Sequence, residues 1–235
     1  MKPRHAAFTL IELLVTLTLI GILAALLTVG IRGGIAGANA AKCMGNLKQI
    51  YAAALLWSAD NNGRIPPMND SSPFVLAYNP LGGNPAAQNL RTLGILAPYL
   101  GHDSMADLKS VRDFPVIICP ANTNKTIFGY GMNYNYLSWE SNPTPIWKTF
   151  AQMEGFPGGL SKTVFWCDNE MLDPKSTSWH SYVRPPSKAD TNHPSFRHPG
   201  KTANVLWLDG HVSAEKDDKT AGGWMNPNDK YWGKF

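Results

Sequence analysis

From Phe8 to Val29 the chain runs apolar for 22 residues with a single charge, Glu12, inside the run. As an α-helix that stretch measures about 33 Å, against roughly 30 Å for the hydrocarbon core of a bilayer. It is long enough to span. Lys2 and Arg4 precede it and predict a cytoplasmic N-terminus. Glu12 is the residue that needs explaining. A carboxylate inside a spanning helix costs about 3 kcal/mol on insertion scales, and less if it reaches the headgroups from a position near the helix start. An anchor or an export signal has no need of it. It makes sense if Phe8 becomes a new N-terminus, because a free α-ammonium then lies one helical turn away. The pair can form within one chain or between neighbours packed in register, and the second arrangement is worth more in a low-dielectric bundle.

The stretch Ala7-Phe8-Thr9-Leu10-Ile11-Glu12-Leu13 resembles the prepilin peptidase signal of type IV pilins, type II secretion pseudopilins and related processed proteins. The resemblance implies cleavage between Ala7 and Phe8, methylation of the new Phe8 amine, and a role in filament assembly for Phe8 and for Glu12, the fifth mature residue. It implies the prepilin peptidase and other pilin or pseudopilin subunits as partners. It also implies a single-pass protein of the inner membrane, with its globular body periplasmic or extracellular. The family usually has Gly before the cut; this chain has Ala7, also small, and slower cleavage is the expected consequence. Three other readings compete. A secretory signal could be cut after Ala38-Asn39-Ala40, but the apolar run is long for that and holds an acid. A lipoprotein reading of Cys43 is opposed by Lys42 just before it. A plain uncleaved anchor is the third.

Beyond the apolar run, four glycines occur in Gly30-Ile31-Arg32-Gly33-Gly34-Ile35-Ala36-Gly37. Each weakens a helix by about 1 kcal/mol relative to alanine, and small residues permit close helix–helix approach. A helix that bends or stretches is expected here. Leu47, Ile50, Tyr51, Ala54 and Leu55 then recur at helical steps as one apolar stripe, with Lys42, Asn46, Lys48 and Gln49 mostly off it. The helix should stop near Asp60-Asn61-Asn62-Gly63, before Pro66-Pro67. This ending is similar to that of the major pseudopilin helix of type II secretion. It is also similar to a family with a prepilin signal and a C-terminal H-X9-DG motif.

The division predicted is a leader at 1–7, a transmembrane half-helix at 8–29, a soluble half-helix at 30–60 and a globular domain at 61–235. That domain alternates loops with short apolar runs. Asn89 to Leu100 reads as a short helix with Leu90, Leu93, Leu96 and Ala97 on one side. Pro115–Pro120, Phe128–Tyr134 and Thr163–Asp168 read as extended segments. Ala203–Leu208 and His211–Ser213, joined by Asp209-Gly210, read as a hairpin in which both turn residues take positive φ. The fold class expected is α+β: the long helix packed on a small antiparallel sheet. Arg197-His198-Pro199-Gly200 through Asp209-Gly210-His211 resembles the H-X9-DG ending, with ten residues rather than nine between His198 and Asp209. That motif (His198, Asp209, Gly210) implies no chemistry.

Other chemistry is weakly signalled. Three cysteines, Cys43, Cys119 and Cys167, do not make a disulfide scaffold. A Cys43–Cys119 bridge, tying helix to sheet, competes with three free thiols. His193, His198, Asp209 and His211 are close in sequence, but a metal reading needs a closed ligand set. His198 is expected instead to clasp the Asp209 turn. No metal or other cofactor is expected. Ca²⁺ is the exception to consider, since major pseudopilins use one, and Asp217, Asp218 and Asp229 are available in what reads as a solvated polar tail. Nucleophile and phosphate-cradling motifs are missing, so no enzyme is expected. The formal charge of +4 drops by two without Lys2 and Arg4, and no basic run offers a nucleic-acid surface. Eight Trp and eight Tyr suggest either a core or a glycan-contacting surface. The functional expectation is a pilus or pseudopilus subunit, with a module binding glycan or exported substrate as the alternative.

Overall fold

The computed structural model describes residues 9–69, 77–78, 92–102, 115–122, 129–133, 135–140, 146–156, 158–171, 182–188 and 192–233. The long helix is α1 (Leu10–Asp60), and the glycine-rich stretch is helical with the rest. Gly30, Gly33, Gly34 and Gly37 fall at three- and four-residue steps along one face, and a Cβ at any of them would meet nothing within 4 Å. The helix closes as expected: Asn61 Nδ2 donates to the Trp57 carbonyl (2.7 Å), and Asn62 and Gly63 turn the chain at positive φ. Two units divide the chain, Met1–Ala38 and Asn39–Phe235.

In the second unit the strands in chain order are β1 (Met68–Asn69), β2 (Ala77–Tyr78), β3 (Thr92–Leu93), β4 (Tyr130–Asn133), β5 (Ser138–Glu140) and β6 (Ile146–Trp147). A short helix, α2 (Phe150–Glu154), follows. Then come β7 (Val164–Met171), β8 (Tyr182–Val183), β9 (Asn192–Pro194), β10 (Thr202–Trp207) and β11 (Val212–Lys216). The main sheet runs β11-β10-β7-β4-β8, with β9 also on β7; β1-β5-β6 and β2-β3 form two small sheets. The architecture is α+β, as expected. The sheet is mixed rather than purely antiparallel, because β8 pairs parallel with β4. A strand that reverses after β7 opposes β7, and docking on the far edge of β4 leaves it parallel to that strand.

The α1 stripe is rotated from the expected one. Cys43, Asn46, Leu47, Ile50, Ala53 and Ala54 are buried, whereas Leu55 is 42% exposed. Asn46 belongs to the buried face because its amide donates to Ile118 O (3.1 Å) and Tyr130 Oη (3.1 Å). A buried polar group is tolerated when it is bonded. The sheet is covered on both faces. Phe165, Trp166, Leu206 and Leu208 pack with the α1 stripe. Val164, Cys167, Ala203, Val205 and Trp207 pack with Trp224, Met225 and Trp232. The C-terminal segment is thus a packed layer, not a solvated tail, and Asp229 within it is fully buried.

Three local expectations are corrected. Asn89, Leu90 and Arg91 lie outside the described residues; the rest of the expected helix is a two-residue strand, a turn and a 3-10 helix at Pro98–Leu100. Pro98, which cannot donate, is accepted only in the first turn of a helix. Leu96 and Ala97 are nonetheless buried. Pro115–Ile117 is a 3-10 turn, not a strand, since prolines at 115 and 120 remove ladder donors. The β10–β11 hairpin forms, but its loop is longer than two residues. Gly210 N–H donates to Trp207 O (2.9 Å) and Trp207 N–H to His211 O (3.0 Å). Gly210 has φ 93°, while Asp209 does not take positive φ. This is a turn followed by a left-handed glycine, the three-residue hairpin solution.

Candidate functional site

Two places concentrate chemistry. The first is the start of α1. Ala7 and Phe8 lie outside the described residues. Thr9 caps the helix: its Oγ1 accepts the Glu12 N–H (3.3 Å), and the Glu12 carboxylate accepts the Thr9 N–H (2.9 Å) and hydroxyl (2.8 Å). That Thr-x-x-Glu reciprocity is a capping box, a role for Glu12 that the charge argument overlooked. The large apolar side chains from Leu10 to Leu27 are 47–83% exposed. The most apolar window of the helix has no part buried within the chain, and it is long enough to cross a membrane.

The second place is buried. Cys43 on α1, Cys119 after the Pro115–Ile117 turn, Asp168 on β7 and His198 ahead of β10 bring one ligating atom each to within 4.8 Å of one another. His198 Nε2 lies 2.9 Å from Asp168 Oδ2 and 3.7 Å from Cys119 Sγ. Asp168 Oδ2 also accepts the Asn204 N–H (2.7 Å), which fixes the carboxylate against β10. A Cβ at Gly129 would stand 2.5 Å from Cys119, so only glycine there lets the Cys119 loop close onto the sheet. Burial opposes the charged form of His198, but hydrogen bonds to Asp168 and Cys119 outweigh it and lift its pKa to about 9. The two thiols share a hydrogen bond. Accepting it holds Cys43 below the ordinary thiol range; donating it, with burial, pushes Cys119 far above. Asp168 Oδ1 and His198 Nδ1 are buried without a hydrogen-bond partner.

The other expected positions are dispersed. His198 does not clasp the Asp209 turn; it bonds Asp168 on the neighbouring strand. Asp209 Oδ1 instead takes the His211 ring (2.6 Å) and backbone N–H (3.0 Å), and His211 stacks on Trp207. His193 turns to Pro194 O and Glu170. His193, His198, Asp209 and His211 therefore do not gather. Asp217 pairs with Lys219, Asp218 accepts from Thr220, and Asp229 is held by Tyr136 and Ser187. Cys43 and Cys119 are neighbours with free thiols, and Cys167 is buried and free on the other face of the sheet. Tyr51 Oη donates to Leu208 O (3.2 Å), and its ring would stand 2.3 Å from a Cβ at Gly210. The glycine of the motif thus seats the hairpin turn on α1. Trp166, Trp207, Trp224 and Trp232 are buried, and no aromatic is among the exposed large apolar residues described.

Residues 2–28 match the family described as the prokaryotic N-terminal methylation motif. No curated protein and no solved structure matches the chain. The chain carries a prepilin-type methylation motif on a long apolar helix, which points to a pilin- or pseudopilin-type protein processed by prepilin peptidase and assembled with other such subunits.

Proposed function

We propose that this protein is a structural subunit, not an enzyme, of a type IV pilus-like filament or a type II secretion pseudopilus. Prepilin peptidase removes residues 1–7 and methylates Phe8. Residues 8–29 hold the subunit in the inner membrane with the N-terminus cytoplasmic and the body periplasmic or extracellular. Assembly then transfers the helix from lipid to a bundle of neighbouring helices. The observation that supports this most is the exposure of every large apolar side chain from Leu10 to Leu27, on a helix whose only charge in that stretch is Glu12. Such a surface needs either lipid or like helices around it. The face of Gly30, Gly33, Gly34 and Gly37 leaves room for a second backbone to approach.

Replacement of Glu12 tests the assembly step apart from the processing step. Glu12→Ala or Glu12→Val should leave cleavage intact and stop incorporation into filaments, read by immunoblot of sheared filaments against the membrane fraction. Normal incorporation of either variant would remove the role given to the acid.

A further inference from the structure

We propose that Cys43, Cys119, Asp168 and His198 form a structural zinc site. Four chain segments far apart in sequence supply one donor each, and all four side chains are buried. A tetrahedral zinc ion with bonds of about 2.3 Å to sulfur and about 2.0 Å to nitrogen or oxygen sets its ligands roughly 3.3–3.8 Å apart. The His198–Asp168 distance of 2.9 Å and the His198–Cys119 distance of 3.7 Å lie close to those edges, and no ligand pair exceeds 4.8 Å. Adjustments of about 1 Å or less would complete the tetrahedron.

The donor set selects the metal. Two sulfurs with an imidazole and a carboxylate suit Zn²⁺, whereas Ca²⁺ and Mg²⁺ take oxygen ligands. On binding, Cys43 and Cys119 give up their thiol protons and His198 its Nε2 proton to solvent, so that His198 binds through Nε2 as neutral imidazole with its remaining proton on Nδ1, and Asp168 binds as carboxylate. No electron is transferred. With all four positions filled by protein and none open to solvent, the site is of the closed, structural kind. A cation beside Asp168 would also answer its fully buried oxygen Oδ1, which has no hydrogen-bond donor. Zinc here would join the soluble half of α1 to β7 and to the segment entering β10, so its binding free energy would add to folding of the second unit.

The test uses the full chain, purified in detergent under reductant without oxygen, stripped with a chelator and titrated with Co²⁺. One Co²⁺ per chain is expected, with the visible bands of a tetrahedral ion and a near-ultraviolet thiolate-to-cobalt charge-transfer band. Zn²⁺ should displace it stoichiometrically. Cys43→Ser and Cys119→Ser should each weaken Zn²⁺ binding by at least about 100-fold, more than loss of an outer-sphere partner costs, and should diminish the charge-transfer band. Cys167→Ser, on the opposite face of the sheet, should keep both. The proposal is overturned if the reduced wild-type chain takes up neither Co²⁺ nor Zn²⁺, or if the charge-transfer band persists unchanged in both serine variants. It is also overturned if protein from its native source holds a Cys43–Cys119 disulfide and no zinc.

Discussion

Glu12 has different partners available at different stages. In the unprocessed chain its carboxylate is satisfied by Thr9. Under the proposed processing, with Phe8 as the N-terminus, an α-ammonium would compete for it. The two roles separate in Glu12→Gln, which keeps a capping box because glutamine serves in that position, but carries no charge. We predict normal processing of Glu12→Gln and incorporation into filaments reduced on the order of tenfold. Wild-type incorporation would assign Glu12 to the cap alone. Gly210 is constrained twice, by its φ of 93° and by the Tyr51 ring, which Phe150 and Phe165 hold edge-on. Gly210→Ala should cost about 3 kcal/mol in denaturant unfolding. In a Tyr51→Ala background the added cost should fall to about 1–2 kcal/mol, the backbone part alone. The Phe8–Glu12 spacing was legible in the sequence, and so was a turn at Asp209-Gly210. That Gly210 answers to a tyrosine on α1 was not, because the contact joins positions 51 and 210.

Among the elements, α1 shows where periodicity succeeds and where it stops. Its length and stop signal read directly from apolar spacing and the Asn-Asn-Gly cluster. Its buried face was misplaced because periodicity counts apolar residues, and Asn46 is buried through hydrogen bonds instead. Asn46→Ala should cost about 1–3 kcal/mol of unfolding free energy, since it strips donors from the Ile118 carbonyl and the Tyr130 hydroxyl. The C-terminal segment misled for a related reason. Its Asp, Asn and Lys content reads as solvated, yet Trp224 and Trp232 stack at 6.1 Å, and both indole N–H groups bond backbone carbonyls. Trp232→Ala should cost about 3–5 kcal/mol, measurable by thermal or urea unfolding; a change within 0.5 kcal/mol would return the segment to the status of a tail. The buried cluster was only partly legible. Cys43, Cys119 and His198 each drew notice, but Asp168 read as the end of a strand. Convergence of residues from positions 43 to 198 is a product of β7 lying between β4 and β10, which spacing along the chain does not encode.

For the whole molecule, the two units ask for different surroundings. Asn39–Phe235 buries its own core on both faces of the main sheet, while the large apolar side chains of Leu10–Leu27 find no cover among the described residues. Under the proposed function, a protein divided this way would be held at a membrane until like helices replace the lipid, and the methylation motif points to the processing that would begin that sequence. The most direct test of this account is the N-terminus of the protein isolated from its native source, read by intact mass and N-terminal peptide mass spectrometry. The account predicts a chain beginning at N-methylated Phe8 with residues 1–7 gone. A chain that retains Met1, or one that begins at Ala41, would contradict it.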